Sequence, residues 1–133
     1  MMLVSDTSVW IDYFNGKHCP ETDFLDKQLE HDLVVIGDLI LLEILQGFKS
    51  DKDYMLAKQS LLLLEQRTFL GNKLALKAAD NYRILRKKGI TIRKTNDVII
   101  ASYCIEHSLT LLFSDRDFMP FVEHLGLIPA LVS

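Results

Sequence analysis

The stretch Leu3-Val4-Ser5-Asp6-Thr7-Ser8-Val9-Trp10-Ile11 runs from a strand-length apolar segment, through an acid, into the start of a helical pattern. Met2 to Ser5 is too short for a helix, whereas Ser8 to Phe14 places Trp10 and Phe14 one helical turn apart. The same alternation continues along the chain. Leu33 to Ile36, Thr110 to Phe113 and Leu127 to Val132 have strand length. Between them, helices are expected at Glu21–His31, Asp38–Phe48, Lys52–Leu64, Asn72–Lys88, Asn96–His107 and Arg116–Leu125, although Leu61 to Leu64 fits a buried strand equally well. Asn72–Lys88 has the clearest pattern: Ala75, Ala78, Tyr82 and Leu85 share one face, and Gly89 supplies a stop. Strands alternating with helices specify an α/β fold with a mainly parallel sheet. With 133 residues and no linker or repeat, one domain spanning 1–133 is expected.

Composition removes several classes of function. Hydrophobic residues make up 49% and charged residues 25%, with only 6 Gly and 3 Pro, which describes a chain that can bury a core and excludes disordered or low-complexity architecture. Cys19 and Cys104 are too far apart in sequence for a C-x-x-C pair, and the four histidines have no zinc-ligand spacing. No phosphate-binding glycine loop or serine-hydrolase elbow is present. The apolar N-terminal run is too short for a signal peptide or membrane span, so a cytoplasmic protein without membrane attachment is expected.

Four acids stand out by position. Asp6 directly follows the first strand and Asp115 follows the Thr110 to Phe113 strand, so a parallel sheet would place both at its carboxyl edge, where open α/β sheets bind ligands. Each could also simply cap the next helix. Asp97 lies in the first turn of a strongly apolar helix, where a capping or dipole role would account for it. Glu43 sits in Leu39-Ile40-Leu41-Leu42-Glu43-Ile44-Leu45, a helix apolar nearly all round; it is either a buried acid needing a partner or one member of a solvent stripe with Gln46 and Ser50. If the four converge, two carboxylates about 4 Å apart repel by roughly 4 kcal/mol at an effective dielectric near 20, more than a capping bond returns. Such a cluster calls for a cation. Oxygen-only ligands favour Mg²⁺, with Mn²⁺ as the alternative, and a metal-bound water would then be the nucleophile.

The formal charge of −3 argues against a phosphate-binding protein only as an average. From Lys73 to Lys94, eight bases (Lys73, Lys77, Arg83, Arg86, Lys87, Lys88, Arg93, Lys94) face one acid, Asp80, a local +7 that leaves −10 for the remaining 111 residues. A solvated helix face is the ordinary explanation of such a run. Arg93 and Lys94, however, precede Asp97 so closely that they must lie near the proposed metal, and Arg93 has the forked donor geometry suited to phosphate. Arg93, Lys94, Arg86 and Lys87 are the expected contacts for a phosphate backbone. Trp10, Tyr13 and Phe14 could stack a base, but the spacing of Trp10 and Phe14 reads better as packing in a core or dimer.

Four pieces of this chain, in order, resemble the PIN-domain ribonucleases and, within them, the VapC-type toxins of toxin–antitoxin pairs. They are Leu3 to Ile11, Glu43 in its apolar helix, Arg93-Lys94-Thr95-Asn96-Asp97-Val98-Ile99-Ile100-Ala101, and Leu111-Leu112-Phe113-Ser114-Asp115-Arg116-Asp117-Phe118. The resemblance implies a three-layer α/β/α sandwich and a metal-dependent endoribonuclease with Asp6, Glu43, Asp97 and Asp115 as its acidic quartet. Asp117 is the ambiguous position, able to reach the metal or to serve only the following helix. Ser8 and Ser114 fall on the small hydroxyls of the family's motifs and would orient a ligand carboxylate or a water. The resemblance also implies an RNA substrate, a homodimer and a cognate antitoxin.

Two other readings stay open. A Toprim-like nuclease would use a Glu after its first strand and a later D-x-D, which Asp115-Arg116-Asp117 satisfies and Asp6 does not. A PIN-like domain without catalysis would bind RNA or protein only. A haloacid dehalogenase phosphatase would need a second acid where Ser8 stands, and a receiver domain would need an acidic pair near the N-terminus.

Overall fold

In the computed structural model, which describes residues 2–131, five strands form one sheet in the order β3-β2-β1-β4-β5, every neighbouring pair parallel. The strands are β1 (Leu3–Ser5), β2 (Val34–Gly37), β3 (Glu65–Arg67), β4 (Thr110–Leu112) and β5 (Ile128–Pro129). Between β1 and β2 lie α1 (Thr7–Phe14) and α2 (Pro20–Glu30), and between β2 and β3 lie α3 (Asp38–Gln46) and α4 (Asp51–Leu61). The chain then returns through α5 (Asn72–Lys87) and α6 (Thr95–Glu106) to β4, and through α7 (Met119–Leu125) to β5.

This order has a direct consequence for function. The first two crossovers step outward from β1 on one side, and the later ones step outward from β1 on the other. Because parallel crossovers are right-handed, opposite steps put their helices on opposite faces of the sheet, giving the α/β/α layering. The helices group accordingly: α1 packs on α2 and α3, α3 on α4, α5 on α6 and α7. The strand order reverses between β1 and β4, and the carboxyl ends of that pair form the crevice at the switch point.

Burial explains which segments are central. β1, β2 and β4 are buried along their lengths, and Val4, Val35, Leu111 and Leu112 have no exposed surface. α6 is buried continuously from Asp97 to Cys104, as suits a helix apolar on every side. α5 covers it, with Leu74, Ala78 and Leu85 turned inward and Asn81 Nδ2 donating to Ser102 Oγ at 2.9 Å. Gly89, at φ +83°, ends α5 in the left-handed conformation that suits glycine. Trp10 is buried and stacks on Phe14 with ring centroids 5.8 Å apart, so this aromatic pair is core packing.

Three expectations change. The helix proposed over Lys52–Leu64 stops at Leu61, and Leu61 to Leu64 is not a strand either; the strand follows as β3, the polar Glu65-Gln66-Arg67. An edge strand with exposed Glu65 and Gln66 has no apolar face to bury, so it leaves no apolar run to read. The stretch Arg116–Leu125 divides into a 3₁₀ turn at Arg116–Phe118 and α7. The last strand is only Ile128–Pro129, and Val132, which ended the expected strand, lies outside the described residues.

Gly37, at the end of β2, lies against the face of Phe69, whose ring stacks on Tyr103 at 4.1 Å; a Cβ on Gly37 would overlap the Phe69 ring. Gly37→Ala should therefore cost about 1–3 kcal/mol in urea denaturation, the scale of an overpacked core. Gly71→Ala, where a Cβ meets nothing within 4 Å, serves as the control and should stay close to wild type.

Candidate metal centre

β1 and β4 pair in register, Leu3 with Thr110, Val4 with Leu111 and Ser5 with Leu112, and the amide of Asp6 donates to the Leu112 carbonyl at 2.8 Å. Asp6 and the turn that carries Asp115 thus both leave the sheet at its carboxyl edge. Asp6 occupies the N-cap position of α1 without a side-chain capping bond; its Oδ2 accepts from Ser8 Oγ at 2.9 Å. Ser8 therefore stands where it can hold a carboxylate. Asp115 does cap: its Oδ1 accepts from the Asp117 amide at 2.9 Å. Its second oxygen faces Lys94 Nζ at 3.8 Å.

α6 supplies Asp97 from its first turn, buried to 7% exposure, with Oδ2 lacking any hydrogen-bond partner. Among the described residues, only this oxygen and Trp10 Nε1 are buried side-chain polar atoms without a partner. An unpaired buried carboxylate oxygen costs far more than a cap returns, so capping does not explain Asp97. α3 supplies Glu43, half-buried and accepting from Thr7 Oγ1 at 2.8 Å. Gln46 and Ser50 are exposed, but Glu43 turns inward, so no solvent stripe forms.

Asp97, Asp115 and Asp117 can each offer a carboxylate oxygen with all three within 4.8 Å of one another. Asp117 therefore joins the acidic cluster, and it also accepts from Arg93 at 3.1 Å. At that separation two ionised carboxylates repel by about 3 kcal/mol at an effective dielectric near 20. The exposed pairs with Arg93 and Lys94 return at most about 1 kcal/mol each. Electrostatics records the same strain. Burial pushes the Asp97 carboxyl up from 3.8 to about 7; Asp6 adds to the rise, Lys94 opposes it, and Asp115 and Glu43 contribute further. Burial also raises Asp6, against the Ser8 hydrogen bond and with help from Glu43.

An orphaned buried oxygen amid acids that offer only oxygen donors is the chemistry of a hard divalent cation. Other expected residues are distributed as follows. Arg86 lies along α5, its guanidinium over the Tyr82 ring, and Lys87 is exposed in the last turn. Ser114 is exposed and lines a separate depression with Phe113, Arg116 and Met119. Thr7, which holds Glu43, carries no signal in the sequence beyond its position between Asp6 and Ser8.

The PIN domain profile matches residues 3–120. The chain belongs to the PIN-domain family. It is 28% identical over 120 residues to a VapC ribonuclease of Mycobacterium bovis and to ribonuclease VapC11 of Mycobacterium tuberculosis, in each case over 88% of this chain and 89% of the relative. Its fold matches a crystal structure of VapBC2 from Rickettsia felis bound to a promoter DNA fragment, with a TM-score of 0.76, 22% identity and complete coverage of both chains. It also matches FitAcB from Neisseria gonorrhoeae, with a TM-score of 0.71, 19% identity and 96% coverage of each chain. The PIN fold of these neighbours is the three-layer α/β architecture described above. Among the described residues, no helix is long and apolar enough to cross a membrane.

The raised carboxyls have a measurable consequence. Between the ordinary value of 3.8 and about 7, folded Asp97 holds a proton that the unfolded chain releases, so metal-free stability falls as pH rises through that window. Urea denaturation in chelator should show more stability at pH 5 than at pH 8, by about 1–2 kcal/mol after solvent screening, and Asp97→Asn should flatten the profile. Wild-type stability that climbs from pH 5 to pH 8 would contradict the buried-acid assignment.

Proposed function

We propose that this PIN domain is a metal-dependent endoribonuclease that hydrolyses RNA phosphodiester bonds with a metal-activated water, acting in the cytoplasm as the toxin of a toxin–antitoxin pair. The observation that carries the reading is the unpartnered Oδ2 of Asp97, buried in a cluster whose oxygens come from α6 and the turn after β4, with Asp6 and Glu43 close enough to perturb it. The VapC ribonuclease relatives supply the substrate class.

In this reading Asp97, Asp115 and Asp117, the three acids able to converge, would hold Mg²⁺, or Mn²⁺ in its place, with Asp6 near Asp97 as a further ligand. The bound ion supplies charge neutralisation at the phosphate and a water of lowered pKa. Ser8 fixes the Asp6 carboxylate and Thr7 fixes Glu43, which would orient the attacking water. Arg93 and Lys94 stand at the edge of the cluster, placed to take the RNA backbone, with Arg86 and Lys87 extending the basic surface along α5. Ser114, exposed beside Asp115, would contact solvent or substrate.

Fold neighbours described as a toxin–antitoxin complex and as VapBC2 and FitAcB assemblies favour an antitoxin partner for this chain. Exposed Leu42, Met55 and Leu56 on α3 and α4 give an antitoxin or a second copy in a homodimer an apolar surface to cover. Membership of the PIN family leaves the Toprim alternative without support. A PIN-like domain without catalysis would have no need to keep an unpaired buried carboxylate.

Asp6→Asn and Asp97→Asn should each lower cleavage of single-stranded RNA by about 10²-fold or more while circular dichroism stays that of the wild type. Chelation with EDTA should abolish wild-type cleavage and Mn²⁺ should restore it. Full activity of Asp97→Asn, or cleavage that persists after exhaustive chelation, would refute the assignment.

A further inference from the structure

Arg93 and Lys94 have a second role available to them. Both are bound to the acidic cluster: Arg93 to Asp117 Oδ2 at 3.1 Å, and Lys94 to Asp115 Oδ2 at 3.8 Å. Both partner acids belong to the three that can converge on a cation, and the buried, unpartnered Asp97 Oδ2 lies in the same group. The two basic side chains are nevertheless 78% and 63% exposed, and their partners only 29% and 32%. The acids are fixed in the crevice. The bases reach in from the segment between α5 and α6, where Lys94 is the extended N-cap of α6.

Such an arrangement is asymmetric. A divalent cation among Asp97, Asp115 and Asp117 draws on the two carboxylates that Arg93 and Lys94 contact, and it repels both bases at close range. Exposed ion pairs of this kind are weak and exchange readily. Released from the acids, two mobile cations remain at the rim of the crevice, beside the place where a phosphate must approach the metal.

Resting on the nuclease reading, we propose that Arg93 and Lys94 are exchangeable counter-ions of the metal site, displaced when the divalent cation binds and thereby made available to the RNA backbone. Metal and RNA then bind cooperatively, because the ion frees the groups that grip the phosphates. Linkage makes the effect reciprocal: RNA that occupies the two bases strengthens metal binding in turn. The domain would therefore hold substrate tightly only once it can cut it.

The test uses the full chain and an R93Q/K94M variant, whose substitutions keep side-chain length at exposed positions. Mn²⁺ affinity is read by calorimetry, and binding of a hydrolysis-resistant phosphorothioate RNA by fluorescence anisotropy across a salt series. Removing the competing bases should tighten Mn²⁺ binding by about tenfold. In the wild type, saturating Mn²⁺ should steepen the dependence of log affinity on log salt by about 1.4, the value for two further phosphates on a single strand. In the variant, the slope should be the same with and without Mn²⁺. Unchanged or weaker Mn²⁺ binding by the variant, or a wild-type salt slope indifferent to Mn²⁺, would overturn the exchange while leaving the nuclease reading intact. Failure of the wild type to bind Mn²⁺ at all would overturn both.

Discussion

The parallel pairing of β1 with β4 is the constraint on which the rest of the molecule depends. These strands are separated by more than a hundred residues, yet they lie in register and are joined beyond the ladder by the Asp6 amide on the Leu112 carbonyl. Helices leave the sheet in opposite directions from this pair, which opens a crevice between them at the carboxyl edge. Asp6 at one strand end and the Asp115–Asp117 turn at the other line that crevice, and α6 adds Asp97 from its first turn. No loop insertion or added domain is needed to assemble the centre. It arises where the topology already leaves a gap.

The crevice is costly to the fold that makes it. Packing α6 on every side buries Asp97 with a carboxylate oxygen that finds no donor, and neighbouring acids add repulsion to the loss of solvent. A chain selected for stability alone would put an asparagine or an apolar residue there. The retained strain is the kind found at working sites, where carboxyl groups are held poised for a ligand that the protein itself does not contain. Local hydroxyls limit the freedom of the remaining acids: Ser8 holds Asp6 and Thr7 holds Glu43, so one three-residue turn orders carboxylates from two elements. The two bases at the rim offset part of the charge without closing the site.

Much of this is legible in the amino-acid sequence. Alternating apolar runs specified the α/β class, and acids directly after strands specified the edge at which to look. Gly89 was recognisable as a helix stop because left-handed backbone favours glycine. β3 was not legible: an edge strand of Glu, Gln and Arg buries no face, so its hydrogen bonds rather than its side chains define it. The break at Leu61 was missed for the complementary reason, since four consecutive leucines continue an apolar pattern whether the backbone is helical or turning. Thr7 escaped notice because its partner lies 36 residues away on another helix.

Sequence by itself determined the α/β class, the mainly parallel sheet and the identity of the acids, because hydrophobic period and residue chemistry are local properties that survive without a fold. Tertiary structure alone decided which of those acids come together and which are left buried without a donor. Capping and metal binding use the same residue at the same helix end, and only burial and the presence or absence of a donor separate them: Asp115 spends one oxygen on a cap, whereas Asp97 spends its buried Oδ2 on nothing. Whether Glu43 faces water or the crevice, and whether Asp117 belongs to the cluster, likewise depended on distances between elements far apart in the chain. Charge repulsion is a function of separation in space, and separation in space is what a sequence does not state.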